Sequence, residues 1–111
     1  MPSKNPAQRL NDILEHIAAV NEFIEGLAFD QFSKDRKTVF AVLRALEVIS
    51  EASRRLPSEV KERHQEIDWH AIAAAGNIWR HEYDAVDNAI VWKTAKNLDH
   101  LRSVVEAELQ V

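Results

Sequence analysis

The chain has 111 residues, no Cys, two Gly and three Pro, and a formal net charge of −4 at pH 7. That length fits one domain spanning residues 1–111, and the lack of Cys excludes disulfides, thiolate nucleophiles and zinc–thiolate sites. The acidic balance argues against a general nucleic-acid binder, so any action on RNA requires a local basic cleft.

Met1-Pro2-Ser3-Lys4-Asn5 is not followed by an apolar signal core, and no apolar run is long enough to span a bilayer. A cytoplasmic chain with no membrane partner is therefore expected. Asn5-Pro6 reads as a helix start. Leu10, Ile13, Leu14, Ile17, Val20, Ile24 and Leu27 then recur at helical spacing, and Gly26 marks the end. Leu27 to Phe32 reads as a turn or single-turn helix whose two Phe rings plug the bundle. Ser33 or Asp35 caps a long helix that Pro57 stops near Leu56.

That long helix carries a wide apolar face: Val39, Val42, Leu43, Leu46 and Ile49, broadened by Phe40, Ala41, Ala45, Val48 and Ala52. Such width fits a central helix or a subunit interface equally well. Ser58 to His64 reads as a short helix. Asp68 caps the next, through Trp69, Ile72, Ala73 and Ile78 towards His81. Asp87 caps the last, through Val91, Leu98, Leu101, Val105 and Leu109. No segment alternates as a strand. The expected fold is all-α, an up-down bundle of four main helices plus short accessory ones.

The chemistry-bearing stretch is Asn77-Ile78-Trp79-Arg80-His81-Glu82-Tyr83. His81 can act as acid or base near neutral pH. Arg80 can bind phosphate through paired hydrogen bonds, or simply pair with Glu82, Asp84 or Asp87 on the surface. The Tyr83 hydroxyl can accept a modifying group, or its ring can pack on Trp79 or Trp92. On spacing alone, the ordinary helix-end reading wins. His16, His64, His70 and His100 make no metal-binding spacing, and no phosphate loop or nucleophile elbow occurs. No metal or cofactor is expected. Lys34, Arg36 and Lys37 form a basic cluster of the kind that usually marks a solvated face. Arg44, Glu47, Glu51, Arg54 and Arg55 stand at intrahelical pairing distance, or could line a cleft.

The His-x-Tyr pair with Val86-Asp87-x-x-Ile90-Val91-Trp92 resembles the HepT-like family. Further similar segments, in the same order, are Arg9-Leu10-x-Asp12-Ile13-Leu14, Phe23-Ile24-Glu25-Gly26-Leu27, Leu46 to Ala52, Leu56-Pro57 and Asp68-Trp69. The resemblance implies a helical homodimer, a toxin that cuts RNA without a metal ion. It also implies a partner, a minimal nucleotidyltransferase antitoxin that transfers AMP from ATP to the motif Tyr. Carried over, Tyr83 is the AMP acceptor and His81 the catalytic acid or base, with Asn77 in its family place as a supporting residue. The family pattern puts an Arg before that Asn, and this chain has Gly76 there. Arg80 is the nearby substitute, expected to lean back over an open Gly76. Two function classes follow. One is a metal-independent ribonuclease using His81 and Arg80. The other is a non-catalytic dimer that binds the transferase partner or a nucleotide.

Overall fold

A computed structural model describes residues 5–81 and 87–110, with residues 77–81 described as backbone only. The described residues form seven helices and no strand. α1 (Ala7–Ile24) begins where Asn5 Oδ1 accepts from Ala7 N at 3.0 Å. It turns Leu10, Ile13, Ile17, Val20 and Ile24 inward as one row. Gly26, at φ 75°, takes the left-handed conformation that reverses the chain after it.

α2 (Phe29–Lys34) is a short plug. Gln31 Oε1 accepts from Ala28 N at 2.8 Å and so covers a free amide at its start. Only one of the two Phe rings serves as a plug. Phe32 is fully buried beneath Trp92, with ring centroids 5.1 Å apart, whereas Phe29 stays 37% exposed at the edge of the same ring. Phe29 opens the helix and meets Trp92 edge-on at 6.3 Å, whereas Phe32, one turn on, reaches the core.

α3 (Arg36–Arg54) is capped by Asp35, whose carboxylate accepts from Thr38 N at 3.2 Å and Thr38 Oγ1 at 2.7 Å. These bonds, the side-chain one foremost, hold the Asp35 carboxyl below its usual range. Much of the wide apolar face of α3 packs within the chain, against α1, α2, α5 and α6, while Phe40 stays 53% exposed. Its polar side carries the expected pairs, Arg44–Glu47 at 3.5 Å and Glu51 with Arg54 at 3.7 Å and Arg55 at 3.1 Å.

α4 (Ser58–Arg63) turns the chain, and Trp69 Nε1 donates to the His64 carbonyl at 3.0 Å to open α5 (Trp69–His81). Asp68 Oδ1 accepts from Ala71 N at 3.0 Å, the expected cap. Asp87 caps α6 (Asn88–Ala95) through Ala89 N at 2.8 Å.

The expected single last helix is two: α6 and α7 (Asp99–Leu109). Asn97 Nδ2 donates to the Lys93 carbonyl at 2.6 Å, covering an acceptor left open at the end of α6. Leu98 is buried at the break, so the chain bends to keep its apolar residues on the core.

Candidate active site at the end of helix α5

α5 runs antiparallel to α3. It starts after α4, which follows the C-terminal end of α3. Beyond its own end, Asn88 Nδ2 reaches the carbonyl of Ser33, just before α3 begins, at 3.4 Å. With Gly76 against Ser50, the last turn of α5 stands at about the level of residues 45–49 of α3.

The two helices meet closely at Gly76 and Ser50. Ser50 is 2% exposed, and its hydroxyl donates to the carbonyl of Ile72 at 2.8 Å. The Ala73 carbonyl lies 3.3 Å away, and Ser53 Oγ in turn donates to the Ser50 carbonyl at 2.7 Å. A Cβ placed on Gly76 would sit 2.6 Å from Ser50 Cβ and closer still to its hydroxyl. No side chain can stand at position 76 in this packing. The space expected to be open above Gly76 is occupied by Ser50. A substitute for the family Arg must therefore act from position 80 without using that space.

The α5 backbone carries Asn77, Arg80 and His81 on its final turns. Position 80 is one turn beyond Gly76, on the row that faces α3. At about 1.5 Å per residue, position 81 lies about 7.5 Å past the Gly76–Ser50 contact. The side chains of residues 77–81 and all of Tyr83 lie outside the described residues.

Lys34, Arg36 and Lys37, around the start of α3, are all exposed. Stacking of the Arg36 guanidinium over the Phe40 ring, 5.6 Å from its centroid, fixes the cluster's central member. A cleft of about 590 Å³ opens between α3 and α5, with Ile49, Ile72, Ala75 and Ile90 in its lining. Its lining also includes Glu66, Asp68 and Asp87, whose charge disfavours phosphate there. Among the described residues no group of three or more His, Asp or Glu could hold a metal ion, and no helix is long and apolar enough to cross a membrane.

A second polar cluster escaped notice in the sequence. Glu108 accepts from Arg63 Nε at 3.0 Å, Arg63 Nη2 at 2.7 Å and His64 Nε2 at 2.6 Å. The Arg63 hydrogen bonds, seconded by His64, hold the Glu108 carboxyl down to about 2. The cluster ties α4 to the end of α7. Its partners are far apart in sequence, so no spacing pattern could reveal it. Ser50 and Ser53 are both buried hydroxyls on α3.

The family model described as ribonuclease HepT-like matches residues 13–108. A Thermococcus cleftensis protein named as a probable ribonuclease HepT is 44% identical over 87 residues, covering 78% of this chain and 79% of its own. A Caldanaerobacter subterraneus subsp. tengcongensis protein provisionally named an RNase is 35% identical over 108 residues, 97% of this chain and 92% of its own. A third relative, from Methanocaldococcus jannaschii and also provisionally named an RNase, is 35% identical over 97 residues, 87% of this chain and 80% of its own. No solved structure matches. With the family model spanning nearly the whole helical bundle and its relatives named for RNA cleavage, the chain belongs to the HepT-like ribonuclease family.

Proposed function

We propose that this chain is the toxin of a toxin–antitoxin pair, a ribonuclease that cuts RNA without a metal ion and works as a homodimer in the cytoplasm. The observation that carries the reading is the match to HepT-like ribonucleases across residues 13–108, with His81 on the last turn of α5. In the proposed reaction the ribose 2′-oxygen attacks the adjacent phosphorus and loses its proton. The bond from phosphorus to the 5′-oxygen breaks, leaving a 2′,3′-cyclic phosphate, and the leaving oxygen takes up a proton. His81 moves the proton, Arg80 stabilises charge on the phosphate and Asn77 supports the site.

The partner is a minimal nucleotidyltransferase that transfers AMP from ATP to the Tyr83 hydroxyl, with diphosphate leaving. The added phosphate sets negative charge and bulk beside the site and repels RNA.

Purified chain incubated with RNA in excess EDTA tests the reaction. Cleavage is expected to persist with EDTA and to vanish in His81→Ala. Cleavage surviving that substitution identifies a contaminating nuclease instead. Mass spectrometry after incubation with the transferase and ATP tests the modification. An AMP adduct on Tyr83 is expected, and an unmodified Tyr83 overturns that step.

One observation favours a second reading. Ser50 leaves no room for the family's Arg at position 76, so the chain could be a binding protein that cuts nothing. An intact RNA substrate with a retained dimer and retained partner binding would establish it.

A further inference from the structure

The face of α3 that meets α5 continues beyond it into solvent. Stepping from Ser50 towards the helix start by alternate threes and fours gives Glu47, Leu43, Phe40 and Arg36, which lie on one row. Exposure rises along that row: Ser50 is buried, Glu47 and Leu43 are half-buried, and Phe40 is 53% exposed. Lys37 and Arg44 stand beside Phe40 on its outer side, three residues before and four after.

Three properties of this strip are independent of the family's motif. Between Lys34 and Arg44 the chain has four basic residues against one acidic, although its total charge is −4. The acidic residue, Asp35, is engaged by its bonds to Thr38. Phe40 presents an apolar ring with Arg36 already stacked on it. Among the described residues Arg44 pairs with Glu47 at 3.5 Å, and its side chain is 73% exposed, so exchange for a phosphate oxygen costs little.

We propose that Arg36, Lys37, Phe40 and Arg44 form a binding strip for single-stranded RNA that feeds the end of α5. The basic groups hold backbone phosphates, and a base stacks on Phe40, the combination that binds single strands without reading sequence. From Arg36 to Arg44 is about 12 Å along the helix, at about 1.5 Å per residue. With Gly76 opposite Ser50, position 81 stands near the level of residue 45, so Arg44 is the end of the strip closest to it. A second copy of this chain fits the strip less well, because symmetric pairing would bring its basic residues against those of the other copy. The inference rests on the ribonuclease reading and names where its substrate lies.

Fluorescence anisotropy with a labelled single-stranded RNA of about a dozen nucleotides tests the strip, using His81→Ala protein so that the probe stays intact. Phe40→Ala on that background is expected to weaken binding about tenfold. Arg36→Ala/Lys37→Ala/Arg44→Ala is expected to weaken it at least tenfold and to reduce the salt slope by about two, near 0.7 per cation. Circular dichroism and sedimentation of each variant are expected to match the parent. Unchanged affinity in both variants overturns the strip while leaving the ribonuclease reading standing. Affinity loss accompanied by a changed sedimenting mass assigns the face to a second copy and also overturns it. If the parent itself binds no RNA, the ribonuclease reading fails and the strip with it.

Discussion

At the scale of single residues, Gly76 changes meaning once its neighbour is known. In the sequence it marks a missing Arg. In the fold it is the point where α5 rests on Ser50, and the Ile72 carbonyl is held by that same hydroxyl. Restoring the family's Arg with Gly76→Arg is therefore expected to lower RNA cleavage rather than raise it, because α5 must leave α3 to admit the side chain. Gly76→Ala isolates the steric part. Its helix propensity is better by about 1 kcal/mol, but overpacking of about 1–3 kcal/mol opposes it. A net loss of stability is expected in urea unfolding, and the pair Gly76→Ala/Ser50→Gly is expected to regain most of it. If Gly76→Ala alone stabilises the chain, the contact is looser than its geometry indicates. His81 and Arg80 were legible as candidates because they adjoin each other and sit among motif residues. Ser50 was not, since its partner lies on another helix and a hydroxyl in an apolar stripe carries no periodic signal.

At the scale of elements, the caps were readable and the breaks were not. Asp35, Asp68 and Asp87 each precede an apolar-periodic run, and each accepts a backbone N–H near the start of its helix. The break between α6 and α7 has neither Gly nor Pro; it is made by the Asn97 side chain satisfying Lys93. Nor could the sequence decide why the face of α3 is wide, since central burial and an interface use the same residues. The Glu108 clamp gives this scale a pH prediction. Its carboxyl sits at about 2 in the fold against 4.5 as the reference, so the ionised form is favoured by folding. A depressed carboxylate contributes stability above its unfolded value and loses it as pH falls through the folded one. The contribution should thus be complete above about pH 4.5 and gone near pH 2. Glu108→Gln is expected to cost about 2 kcal/mol at pH 7, as for hydrogen bonds to a charged group. Thermal melts of the two proteins are expected to converge as pH falls across that window. A constant gap down to pH 2 would mean that the amide destabilises the clamp through packing rather than through lost charge.

At the scale of the whole molecule, charge and site pull in opposite directions. The chain carries −4 over a body of 41 × 28 × 22 Å, while its basic strip occupies one stretch of one helix. A polyanion approaching from a distance meets the net charge first, and only near the surface does the strip dominate. Salt separates the two. The screening length is about 30 Å at 0.01 M and about 8 Å at 0.15 M. Raising salt through that interval removes the long-range repulsion before it weakens the contacts at the strip. Affinity for single-stranded RNA, measured on the His81→Ala protein, is therefore expected to be flat or to rise at low salt. Above about 0.15 M it should fall with the slope of a few released counterions, about 0.7 for each cation engaged. A uniformly basic binder instead loses affinity along one straight line in log salt from the lowest concentration. Such a line here would show that the RNA-contacting face is electropositive over a span longer than the strip. The simplest source is a dimer that sets two strips side by side. Repeating the titration across protein concentrations decides it, because only a dimer would recover the flat low-salt region on dilution to monomer.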